Sequence, residues 1–125
     1  MVCAKVLIAQ ADMMQAFDMM TGLEEAGHEV IGPAPHADMA LYLAALRRPD
    51  VALVDLVLRD GDRGRDLART LRDRGIPSVF VSTSPGVRDD TPAPCERVVR
   101  PDRRRAIARS VELAQLGIAG NILVG

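Results

Sequence analysis

Hydrophobic positions in this chain fall into short blocks separated by polar turns, and two kinds of block alternate. Val2–Ala9 is a largely apolar run with Val and Ile, long enough for a buried strand and too short for a helix. Asp12 follows as a candidate N-cap. Met13, Phe17, Met20 and Leu23 then recur at helical spacing as the predicted inner stripe, up to a stop at Gly27. Glu29–Gly32 predicts a brief second strand closed by Pro33 and Pro35, and Asp38–Leu46 a second helix. Val51–Leu56 is apolar except for Asp55, as a parallel strand covered on both faces requires.

After the polar loop Arg59-Asp60-Gly61-Asp62, Leu67 and Leu71 mark a third helix that stops near Gly75. Ser78–Ser82, opened by Pro77, predicts a fourth strand, and Val98-Val99 a fifth. Arg103–Leu116 predicts a last helix with Ile107, Val111 and Ala114 inward. Between the last two strands, Thr83–Glu96 holds Pro85, Pro92 and Pro94 and no apolar stripe, so the fourth helix is expected to be short or missing, and the segment irregular and mobile. The alternation predicts an α/β, doubly wound, five-stranded parallel sheet with helices on both faces. One domain is expected over 1–117, with an apolar tail over 118–125.

Composition narrows the function. Apolar residues make up 48% and charged residues 26%, ordinary for a soluble domain. Aromatics amount to 2%, namely Phe17, Tyr42 and Phe80, so the core must be aliphatic and there is little to stack on bases. The net charge of −1 conceals an asymmetry: residues 1–62 carry Lys5, Arg47, Arg48 and Arg59 against ten acids, and residues 63–125 carry twelve Arg against seven acids. That split fits either a basic interaction face or helices solvated by an arginine-rich residue usage. Cys3 and Cys95 form no CxxC and stand near no His/Cys cluster, which fits a reducing compartment. Without a leader-like start or a membrane-length apolar run, a cytoplasmic location is expected.

Doubly wound sheets place their sites at the carboxyl ends of strands. Those ends are Ala9-Gln10-Ala11-Asp12, Asp55-Leu56, Ser82-Thr83 and Arg100-Pro101. Asp55 stands out, because an ionisable group in an apolar strand is costly unless paired or used. From the residues alone it is equally a reactive carboxylate or a cap for the following loop. Ala9–Met14 has no glycine for a dinucleotide fingerprint, and no P-loop is present. Val57 stands where a haloacid-dehalogenase-like phosphatase would need a second Asp. His28 and His36 have no carboxylate or nucleophile at motif spacing. A small-ligand-binding α/β protein stays open as a reading of another class.

An ordered set of segments over about residues 3–116 resembles the receiver domain of two-component response regulators. Lys5-Val6-Leu7-Ile8 is similar to that family's first strand, and Gly27–Pro33 to the second strand of members that carry "VGPA". Arg48-Pro49-Asp50-Val51-Ala52-Leu53-Val54-Asp55-Leu56 resembles the "RPDVALLD" segment that ends in the phosphorylated aspartate. Leu58-Arg59-Asp60-Gly61 resembles the "LRDG" after it, Gly75-Ile76-Pro77 the approach to strand four, and Val98-Val99-Arg100-Pro101 the "xxKP" that ends strand five. The resemblance implies the strand order 2-1-3-4-5.

It also implies that Asp55 is the phosphoacceptor, that Ser82, with Thr83 beside it, supplies the hydroxyl for the phosphoryl group, and that Arg100 replaces the usual lysine. Val57 would offer a metal its carbonyl oxygen. In that family an acid pair after strand one joins the acceptor in holding Mg²⁺, which with the lysine screens the phosphoryl group. Here the pair falls on Gln10 and Ala11, with Asp12 one residue late and directed to the helix cap, and the aromatic switch position is Arg97. Mg²⁺ is therefore expected to bind weakly at Asp55.

The implied function is an atypical receiver in phosphorelay signalling, a non-enzymatic protein-interaction module with impaired Mg²⁺-dependent phosphorylation. The alternative is a competent acceptor phosphorylated on Asp55 by a histidine kinase. The implied partners are a sensor histidine kinase or another signalling protein. The resemblance leaves room for a homodimer through the fifth-helix face, rich in Arg103, Arg104, Arg105 and Arg109, and gives no reason to expect nucleic acid or membrane contact.

Overall fold

A computed structural model describes residues 3–61, 63–81, 98–99, 108–109, 111–112 and 123–124. The chain runs β1 (Lys5–Ala9), α1 (Met13–Glu25), β2 (Glu29–Ala34), α2 (Ala37–Arg47), β3 (Val51–Asp55), α3 (Gly64–Asp73), β4 (Ser78–Val81), β5 (Val98–Val99) and β6 (Leu123–Val124). All strands are parallel, in the order β2-β1-β3-β4-β5-β6. This is the expected α/β fold and strand order, extended at one edge by two paired residues from the segment read as a tail. Thr83–Glu96, where a fourth helix was expected to be eroded, lies outside the described residues. Ala108, Arg109, Val111 and Glu112 are helical, within the span predicted for the last helix.

Strand alternation divides the core into two layers. Leu7, Ala9, Ala52, Val54 and Phe80 face α2 and α3, where they meet Ala37, Ala40, Ala44, Leu67, Ala68 and Leu71. Val6, Ile8, Val51, Leu53, Val79 and Val81 face the opposite side and pack with Ala16, Met19 and Leu23 of α1 and with Val111. Leu7, Leu53 and Leu71 are fully buried. Truncating any of them to alanine costs about 2–5 kcal/mol at such sites.

Three expectations are corrected. The first strand begins at Lys5 rather than Val2. β2 continues through Pro33, which an edge strand tolerates because the missing N–H faces no neighbour. On α1 the buried residues are Ala16, Met19, Gly22 and Leu23, whereas Phe17 is 65% exposed. The small Ala16 and Gly22 let the helix approach the sheet closely, and this turns the Phe17 face to solvent.

β2 carries a bulge where Leu7 pairs with Ile31 but Ala9 pairs with Ala34. Gly32 there has φ +103°, and a Cβ on it would meet the Ile8 carbonyl oxygen at 2.9 Å. The bulge brings the Ala34 carbonyl to the Gln10 N–H at 3.0 Å, fixing the end of β1. His28 is buried beside β1, where its Nδ1 accepts the Ala4 N–H at 3.0 Å. It thus secures the strand's entry. His36 precedes α2 and makes no side-chain cap.

Candidate functional site

Asp55 ends β3 between the ends of β1 and β4. Ala9 pairs with Val54, which sets Gln10 opposite Asp55, and Asp55 itself pairs with Val81. By alternation Gln10 and Asp55 both lie on the α1 side of the sheet. Asp55 is partly buried, and its Oδ1 accepts the Val57 N–H at 3.3 Å. Burial pushes its carboxyl above the ordinary value. The Val57 and Leu56 N–H groups and the Gln10 side chain pull it back in part, and the charge of Asp12 raises it further.

Gln10 is 1% exposed. Its Oε1 accepts the Asp12 N–H at 3.1 Å. Its Nε2 comes near enough to Asp55 to favour the carboxylate, yet it has no partner in full hydrogen-bond geometry among the described residues. An amide donor therefore stands beside the acid, at a depth where an unmatched N–H is expensive. Asp12 Oδ1 accepts from Met14 N–H at 2.9 Å and Gln15 N–H at 3.3 Å, the N-cap of α1. Ala11 offers no donor atom, and the Val57 side chain is 57% exposed beside Asp55.

The β3–α3 loop supports this edge through residues the sequence reading did not single out. Gly64 N–H donates to the Leu56 carbonyl at 3.0 Å. A Cβ on Gly64 would run into the Asp55 carbonyl oxygen and lie 2.5 Å from Leu56 Cα, so α3 touches the backbone of the strand that carries Asp55. Asp60 reaches across to α2, where its carboxylate accepts the Ala37 N–H at 3.1 and 3.3 Å. It caps a helix that lacks a local cap, and Arg63 holds it at 3.5 Å. The visible signal was a glycine at the head of a helix; the Asp60 contact is tertiary and left none.

The structure thus brings Gln10, Asp12, Asp55 and Val57 to one edge, with Ala11 between the first two. Ser82, Thr83, Arg97 and Arg100 lie outside the described residues. Among the described residues no group of three or more His, Cys, Asp or Glu side chains gathers to hold a metal. No helix there is long and apolar enough to cross a membrane.

No protein-family model matches the chain. It is 32% identical over 85 residues to the transcriptional regulatory protein PdtaR of Mycobacterium tuberculosis, a stretch that covers 68% of this chain and 41% of that protein. The signal receiver domain of a modulated diguanylate cyclase from Desulfovibrio desulfuricans superposes with a TM-score of 0.80 at 27% identity, covering 94% of this chain and 97% of that one. The response regulator PhyR from Brucella abortus gives 0.77 at 28% identity, over 93% and 51% of the two chains. A PhyR from Bartonella quintana, complexed with the anti-sigma factor NepR, gives 0.60 at 26% identity, over 63% of this chain and 33% of that one. The chain therefore spans about two fifths of PdtaR and half of Brucella PhyR.

Proposed function

Because this chain is a receiver domain of the response-regulator type, we propose that it acts in signal transduction as a protein-interaction module whose Asp55 accepts a phosphoryl group poorly. The observation that carries this reading is what stands opposite Asp55. There the chain has the Gln10 amide and the Ala11 methyl, while Asp12 spends its carboxylate on the first turn of α1.

Mg²⁺ requires near-octahedral oxygen donors and favours carboxylates. One carboxylate, the Val57 carbonyl and an amide whose oxygen already serves the Asp12 N–H do not fit it. Without that charge, a phosphoryl dianion approaching Asp55 meets uncompensated repulsion on the β1 side. Arg100, placed there by resemblance, would supply the remaining cation, as a fork rather than a point charge. With Arg97 at the switch position, burial of an aromatic cannot transmit the modification, because a guanidinium is expensive to desolvate. Output then runs through a surface already formed. The partner is a signalling protein, with a sensor histidine kinase upstream; the PhyR–NepR complex supports protein contact as the mode of output. The receiver-domain relatives support a signalling role.

Calorimetric titration of Mg²⁺ into the wild type and into a Gln10→Glu/Ala11→Asp variant tests the reading. The variant is expected to bind at least about tenfold more tightly, since it restores two carboxylates. Equal affinities would contradict it, whether both are tight or both negligible.

A further inference from the structure

Asp55 lies at the carboxyl ends of the strands, and a cavity lies at their opposite ends, a strand's length away. It has a volume of about 440 Å³ and sits between the C-termini of α2 and α3, where the chain turns into β3 and β4. Small organic ligands occupy cavities of about 300–1,000 Å³. Ala44, Pro49 and Ile76 are buried and give it an apolar floor, which Ala45 extends along α2. The remaining side chains that line it are two exposed arginines, Arg48 from the end of α2 and Arg74 from the end of α3.

The fold does not use these two guanidinium groups. Backbone bonds already close both helix ends: Arg48 N–H donates to the Ala44 carbonyl at 3.0 Å, Gly75 N–H to Arg72 at 2.9 Å and Ile76 N–H to Leu71 at 2.9 Å. Arg47 and Arg72 supply the cations that favour the last turns. Neither Arg48 nor Arg74 has an ion-pair partner among the described residues. Asp50, two residues past Arg48, accepts the Lys5 N–H at 2.9 Å instead. Arg48 also holds a left-handed backbone at φ 48°, alone among the described residues other than glycine. Just past the end of α3 the chain makes its left-handed step at Gly75, φ 81°, where it costs nothing. At the end of α2 it accepts the strain of an arginine, and so keeps a cation at the cavity.

We propose that this cavity binds a small organic acid, with its apolar body on Ala44, Ala45, Pro49 and Ile76 and its carboxylate paired with Arg48 and Arg74. Two unpaired guanidinium forks beside an apolar floor are the complement of such a molecule, because each fork matches a carboxylate's two oxygens. A singly charged carboxylate suits the place better than a phosphate dianion, since the negative ends of two helices point towards it. The cavity is separate from the Asp55 edge, and the inference does not rest on the metal-poor reading of that edge.

Amide proton–nitrogen NMR spectra of the whole chain, titrated with naphthoate up to about 5 mM, provide the test. Saturable shifts are expected at Ala45, Arg48, Gly75 and Ile76, with a dissociation constant of the order of 1 mM or below. The neutral analogue naphthamide should bind about tenfold more weakly, and inorganic phosphate, which has no apolar body, about as weakly as naphthamide. Arg48→Gly and Arg74→Gln should each weaken naphthoate binding about fivefold or more. Glycine relieves the left-handed backbone, so Arg48→Gly should keep or raise the urea midpoint while it loses affinity. No saturable shift at these four amides would overturn the proposal, and naphthamide binding as tight as naphthoate would overturn the role of the arginines. A lowered urea midpoint with unchanged affinity in Arg48→Gly would show that this arginine serves the fold, and would overturn the proposal as well.

Discussion

Replacing Gly64 by alanine tests how tightly α3 is seated on the strand that carries Asp55. The added methyl would sit 2.5 Å from Leu56 Cα and 2.8 Å from the Leu56 carbonyl oxygen, besides overlapping the Asp55 carbonyl. These are backbone atoms, so no side chain can swing aside. Restoring an ordinary contact of about 3.5 Å requires the first turn of α3 to retreat by roughly 1 Å. That movement stretches the 3.0 Å bond from Gly64 N–H to the Leu56 carbonyl beyond useful length. The lost bond costs about 1 kcal/mol and the overpacking about 1–3 kcal/mol. Alanine's better helix propensity returns up to about 1 kcal/mol. The net expectation is a loss of about 2 kcal/mol, which for a chain of this length lowers the melting temperature by roughly 6–10 °C. Urea unfolding followed by circular dichroism measures it. A midpoint equal to or above the wild type's would show that α3 does not approach the strand as described.

Asp60→Ala should cost about 1 kcal/mol in the same assay, since it uncaps α2 at Ala37 and frees Arg63; an unchanged midpoint would mean that the loop does not cap that helix. Asp55→Asn should leave the protein at least as stable at neutral pH, because the amide carries no charge to desolvate. The sign follows from burial: the folded state holds the Asp55 proton more tightly than the unfolded state, so the ionised carboxylate costs stability above its raised pKa. That cost is released as pH falls through the raised pKa towards the unfolded value. The advantage of Asp55→Asn should therefore shrink over the same interval, and an advantage that grew there would reverse the assignment.

Much of the fold was legible because parallel strands covered on both faces leave unbroken apolar runs. Val51–Val54 and the helices around Ala40 and Leu67 fall where the pattern put them. Asp55 was legible for the same reason, as a charge at the end of an apolar run. The inner face of α1 was not: Met13, Ala16, Phe17, Met19, Met20 and Leu23 are all apolar and form a band too wide to orient the helix. Proximity of small side chains to the sheet decides its rotation, and that is a property of packing. The contacts of Gly64 and Asp60 were not legible because their partners, Leu56 and Ala37, belong to other elements. The pairing of Leu123-Val124 beside β5 depends on an edge that the local sequence does not specify.

The central claim is that Asp55 occupies a receiver crevice from which the acid pair is missing. Incubation with acetyl phosphate and Mg²⁺, followed by intact-mass measurement over time, tests it most directly. The wild type is expected to gain little or no phosphoryl adduct, whereas Gln10→Glu/Ala11→Asp gains a single adduct that is lost when Asp55→Asn is added. A wild type that accumulates one adduct as fast as the Gln10→Glu/Ala11→Asp chain would contradict the account.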